Sequence, residues 1–65
     1  MLDKTGNVFE KFQSVEALEP KSNDKYNHAF SGTVIDILES RGTVIVEDQC
    51  GDAFEIEPDR LIIRD

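Results

Sequence analysis

From Thr43 to Glu57 the chain reads Thr-Val-Ile-Val-Glu-Asp-Gln-Cys-Gly-Asp-Ala-Phe-Glu-Ile-Glu. Its first part, Thr43 to Asp48, is rich in β-branched residues and reads as a strand. Its last part, Asp52 to Glu57, alternates. Phe54 and Ile56 fall on one side, and Ala53, Glu55 and Glu57 on the other, which is the period of a half-buried strand. Setting Val46 opposite Phe54 puts Val44 opposite Ile56 and Asp48 opposite Asp52. The loop between them is then Gln49-Cys50-Gly51. Loops of this length favour a type I turn followed by a residue at positive φ. Gly51 stands at that position, with no Cβ to oppose it. Turn chemistry and apolar pairing therefore agree.

Working outward, Phe30 to Leu38 is a second β-branched run, ended by Glu39-Ser40-Arg41-Gly42. That loop pairs Leu38 with Thr43, Ile37 with Val44 and Ile35 with Val46. The expected core face is Ile35, Ile37, Val44, Val46, Phe54 and Ile56, extended by Leu61 and Ile63. Pro58 cannot donate to a ladder and ends its strand. Pro58-Asp59-Arg60 fits a single 3₁₀ turn, and Leu61 to Arg64 reads as a short last strand. The opposite face carries Val34, Asp36, Leu38, Thr43, Ile45, Glu47, Ala53, Glu55 and Glu57. A flat sheet would leave Val34, Leu38 and Ile45 in water. Either the strands bend so that one serves two sheets, as in a small barrel, or the first half of the chain covers the patch.

The first half supports two readings. Val8, Phe9, Phe12, Val15 and Leu18 recur near helical spacing. Asn7 with Glu10 resembles a capping box, and Pro20 would end a helix over about 8–18. Alternatively, 14–19 is a strand preceding a long loop. Barrel closure favours the strand, because the last strand needs a partner. Residues 20–28 are loop by composition.

The order of these elements resembles the SH3-like small β-barrels, and within them the Tudor-like group. The resemblance rests on Val15-Glu16-Ala17-Leu18, a polar loop with Tyr26, Gly32-Thr33-Val34-Ile35, Val44 to Asp48, Gly51-Asp52 and Pro58-Asp59-Arg60-Leu61. It covers roughly residues 14–64. It implies a mainly β chain: a five-stranded SH3-like barrel over 14–65, with an N-terminal extension over 1–13 for which a short helix stays open. Barrels of this group bind peptides, methylated side chains, nucleic acids or other subunits, and fold alone does not choose among them. A Tudor-type cage for a methylated side chain needs several aromatics. Tyr26, Phe30 and Phe54 lie in the matching stretch, but Phe54 is assigned to the core, which leaves too few.

Composition narrows the function. The 65 residues carry 14 acids and 7 bases, a net charge of −7. Most of the excess lies in residues 30–65. This charge argues against a surface that grips nucleic-acid phosphates and favours a basic partner. The lone Cys50 excludes an internal disulfide and a multi-Cys zinc site. No apolar run is long enough to span a membrane. Met1-Leu2-Asp3-Lys4 lacks the apolar core of a signal peptide, so the expected compartment is the cytoplasm.

No phosphate loop or nucleophile elbow is present, so no cofactor is expected. Asp48, Asp52 and Glu55 lack the spacing of an EF-hand loop and read as turn acceptors. Cys50 lies between acids that oppose a thiolate, and His28 reads as a solvated loop residue. An enzyme is not expected. The sharpest surface feature is an acidic face of Glu47, Glu55 and Glu57 with Asp36 beside them. Val34, Leu38 and Ile45 stand among them as apolar anchors, and Tyr26 is a further candidate contact in the long loop. The expected function is a non-catalytic module that binds a protein partner. The alternatives are an acidic inhibitor of phage or mobile-element type that imitates nucleic-acid charge, and a nucleic-acid-binding small barrel.

Overall fold

Val46 faces Phe54 and Val44 faces Ile56 in the computed structural model, which describes residues 1–64. The strands are β1 (Ser14–Ala17), β2 (Phe30–Leu38), β3 (Thr43–Glu47), β4 (Ala53–Ile56) and β5 (Leu61–Ile63), with a 3₁₀ turn at Pro58–Arg60 before the last. They form one antiparallel sheet in the order β4-β3-β2-β1-β5. The chain is mainly β, the sheet is not closed into a barrel, and the described residues contain no α-helix. The β3–β4 loop closes as its chemistry dictates. Gly51 has φ +89°, and its N–H donates to the Asp48 carbonyl at 3.3 Å.

The β2–β3 pairing departs from the expected register in one place. Leu38 faces Thr43 and Ile37 faces Val44, as the loop length requires. Asp36 then faces Ile45 and Val34 faces Val46, leaving Ile35 as an extra residue. One bulged residue reverses which side chains face inward. Val34, not Ile35, is the core residue, with 0% exposure. Simple alternation along Thr33 to Leu38 carries no mark of a bulge.

The strand β2 serves two halves of the sheet. Residues 30–33 pair with β1 and residues 33–38 with β3. One strand is thus shared between two neighbours within a single open sheet, and does not serve two sheets. At this crossing Gly32 lies so close to β3 that an added Cβ would press on the Glu47 carbonyl oxygen and stand 2.9 Å from Val46 Cγ1.

The N-terminal half follows the strand reading. The helix over 8–18 does not form: Val8 and Phe12, two of its apolar positions, are 60% and 77% exposed. A turn competes with it. The Asp3 carboxylate accepts the N–H groups of Thr5 at 2.9 Å and Asn7 at 2.8 Å, and Gly6 takes φ +91°. Asn7 thus belongs to this turn and caps no helix. Leu2 and Val8 bridge antiparallel across it. The turn then lies along β5. Lys4 N–H donates to the Leu61 carbonyl at 2.9 Å, and Ile63 N–H donates to Asp3 Oδ2 at 2.8 Å.

Phe9 descends from this segment into the core, beside Val15, Ala17, Tyr26, Val34, Val44, Val46, Ile56 and Leu61. Residues 1–13 thus contribute Phe9 to the core and bond to β5 through Asp3 and Lys4. Each buried aliphatic side chain contributes about 1.5–3 kcal/mol over its exposed state. In so short a chain, with little interior, the loss of one is felt.

Candidate functional site

The expected acidic face is assembled only in part. Across three strands the register sets Asp36 against Ile45 and Ile45 against Glu55. The next row is Thr33, Glu47 and Ala53. Leu38 and Ile45 are half-buried, while Glu47 and Glu57 are exposed. Asp36 accepts the Ile37 N–H at 2.8 Å and stands 3.9 Å from Lys11 Nζ.

Glu55 is not a free charge. Thr43 Oγ1 donates to its Oε2 at 2.7 Å, and Arg41 grips both oxygens, Nε at 2.8 Å and Nη2 at 3.1 Å. Lys25 Nζ adds a contact of 3.4 Å. The Thr43 hydroxyl and then the Arg41 donors outweigh burial and hold its carboxyl at about 2, against an ordinary 4.5. This network joins the Lys25 loop, the β2–β3 loop and β4. It makes Glu55 a structural clasp more than a docking charge.

Two expected contacts lie inside the protein. Val34 is core, for the reason given by the bulge. Tyr26 is 4% exposed. Its hydroxyl donates to the Leu18 carbonyl, and its ring meets Phe30 edge-on at 5.5 Å. Phe30 in turn lies 5.6 Å from Phe54. The three aromatics pack on one another and do not open around a shared ligand space. Burial, with the nearby charge of Asp24, pushes the Tyr26 hydroxyl up from its ordinary 10.0.

The Asp48 side chain closes the β3–β4 loop by accepting the N–H groups of Cys50 and Asp52, each at 2.9 Å. This is the Asx role read from the sequence. Among the described residues no group of three or more His, Cys, Asp or Glu converges as metal ligands would. Cys50 is exposed, and His28 Nδ1 lies 3.0 Å from the Ala29 carbonyl. An open cleft beside the 3₁₀ turn gathers Lys4, Lys21, Arg41 and Arg60. Arg60 is taken by Asp24 at 3.1 Å and Arg41 by Glu55.

The surface that sequence reasoning missed is at the N-terminus. The exposed large hydrophobic residues are Leu2, Val8 and Phe12. Leu2 and Val8 are direct antiparallel partners, so their side chains share a face. Phe12 follows in a turn tied back to Val8: the Gln13 side chain donates to the Val8 carbonyl at 3.3 Å and accepts the Glu10 N–H at 2.8 Å. Phe12 also takes φ +70°, rare for an aromatic residue. The signal that could have found this surface is Asp3 with Gly6, the first and last positions of a type I turn. Such a turn makes 1–9 a folded-back ribbon and sends Val8 outward when Phe9 goes in.

The chain is thus a small, mainly β fold: an open five-stranded antiparallel sheet with a folded-back N-terminal ribbon that exposes Leu2 and Val8. No family model, curated protein or solved structure matches the chain. Among the described residues no helix is long and apolar enough to cross a membrane.

Proposed function

We propose that this chain is a non-catalytic interaction module that binds a protein partner through Leu2, Val8 and Phe12. The strand order and the shared strand β2 support reading the fold as an SH3-like small barrel left open. The observation that carries the functional reading is Phe12. It leaves a large ring 77% exposed on a backbone at φ +70°. An L-residue in the left-handed region costs about 1–2 kcal/mol. Strain together with an exposed aromatic marks a site held for contact. The net charge of −7 favours a partner with a basic border. The charge-mimic reading is weakened because Arg41 and Lys25 already compensate Glu55.

Phe12→Gly tests the reading, because stability and binding should move in opposite directions. Glycine releases the φ strain but adds freedom to the unfolded chain, for a net gain of about 0.5–1 kcal/mol. Loss of a central aromatic anchor weakens binding by about 2 kcal/mol, roughly thirtyfold. Urea unfolding and calorimetric titration of the partner measure the two. Undiminished binding by Phe12→Gly removes the N-terminal ribbon from the interface. Binding that collapses with modest salt, with or without Phe12, favours the charge mimic instead.

A further inference from the structure

The strand order leaves two sheet edges, and the chain covers one of them with its own N-terminus. At β5 the Lys4 N–H and the Asp3 carboxylate occupy Leu61 and Ile63. The other edge is β4. In an antiparallel pair, residues whose N–H and C=O point at the neighbour alternate with residues whose groups point away. The 2.8 Å bond from Asp48 N–H to the Asp52 carbonyl makes that pair a bonded one. Counting along the β3–β4 register, Phe54 and Ile56 bond to β3. Ala53 and Glu55 then present their backbone groups outward. Among the described residues no backbone group pairs with them outside the sheet.

Proline, lysine or a bulge usually guards an exposed edge, and β4, Ala-Phe-Glu-Ile, contains none of them. Its guards are acids: Asp52 and Glu57, both exposed at the ends of the strand. Two copies pairing through β4 would bring together chains of net charge −7, which opposes a symmetric dimer. An extended strand carrying lysine or arginine meets Asp52 and Glu57 favourably. Glu55 between them is already compensated by Lys25 and Arg41 at 3.4 and 2.8 Å, so the attraction rests on Asp52, Glu57 and the net charge of −7. We propose that β4 is an acceptor edge for an extended basic segment of a partner protein, which adds to the sheet through main-chain hydrogen bonds. This edge is distinct from the Phe12 ribbon and does not depend on it.

The test uses the full chain and two blocked hexapeptides, one alternating lysine with valine and the other glutamate with valine. Amide hydrogen exchange is read residue by residue. The basic peptide should slow exchange at Ala53 and Glu55 by at least about tenfold and leave Phe54 unchanged. The acidic peptide should do neither. A chemically synthesised chain carrying an N-methyl group on Ala53 should lose the effect, because only an outward N–H is removed. The proposal is overturned if protection appears away from β4, or if both peptides act alike. It is also overturned if the N-methylated chain responds as the parent does, or if the protein protects Ala53 and Glu55 alone by dimerising. The exchange pattern of the parent decides the matter even if the N-methylated chain does not fold.

Discussion

Gly32→Ala should remove most of the stability of the fold. The backbone of Gly32 is ordinary, so the cause is space and not conformation. Its missing Cβ would press on the Glu47 carbonyl oxygen, with Val46 Cγ1 at 2.9 Å and Phe30 Cε2 at 3.1 Å. A flexible side chain could yield. The Glu47 carbonyl cannot, because its residue pairs with Thr33 on one side and Ala53 on the other. Relief requires β2 to withdraw from β3 at the one place where β2 is shared by both halves of the sheet. Val34 and Val46, opposed there and both fully buried, would separate with it. Overpacking of this kind costs about 3 kcal/mol, against roughly 3–5 kcal/mol available to a domain of this size. Gly51→Ala is the comparison. It has φ +89° but open space around its Cβ, so it should lose only about 1–2 kcal/mol through backbone strain. Urea unfolding of both variants ranks them. A Gly32→Ala protein within 1 kcal/mol of the parent, an order-of-magnitude bound, would mean that the crossing relaxes freely.

Where local chemistry determined geometry, the sequence was legible. The β3–β4 hairpin is set by a glycine at positive φ and by two apolar pairs, and all of it is visible in fifteen consecutive residues. The 3₁₀ turn at Pro58 and the short strand after it follow from a ring that cannot donate. Two features needed information from elsewhere in the chain. The bulge at Ile35 lets β2 leave β3 and meet β1, a demand made by distant strands. It moved Val34 from the expected docking face into the core. The N-terminal ribbon was hidden by a coincidence of spacing. Val8, Phe9, Phe12 and Val15 fit a helical period, yet in the fold only Phe9 and Val15 go inward. A turn centred on Asp3 overrode that period, because its carboxylate satisfies backbone donors that a helix start would leave open. The acidic face is less free than expected for a related reason: register placed Glu55 correctly, but not the reach of Arg41 from the neighbouring loop.

Asp3→Ala should be the most damaging change outside the sheet. Asp3 is the buried charged residue of the core region. Its Oδ1 accepts the N–H groups of Thr5 and Asn7, and its Oδ2 accepts that of Ile63 at 2.8 Å. Burial pushes this carboxyl up, but the Ile63 and Asn7 N–H groups, then Thr5, more than offset it and hold it at about 2, against an ordinary 3.8. Alanine leaves these donors without an acceptor, at about 3 kcal/mol in all. Asparagine does not rescue the site, because both oxygens are in use and its NH₂ would face a donor. The pH dependence has a definite sign. A carboxyl with a depressed folded pKa stabilises fully above its unfolded value and loses that contribution as pH falls through the folded one. The parent should therefore weaken between about pH 4 and pH 2, and Asp3→Asn should show a shallower fall, with Glu55 supplying the remainder. Urea midpoints across that range measure both slopes. Equal slopes would show that Asp3 does not clamp the ribbon. If it does, its loss frees β5 while β4 is already open, and a sheet with two open edges associates head to tail. The Asp3→Ala protein should therefore sediment as concentration-dependent oligomers under conditions where the parent does not.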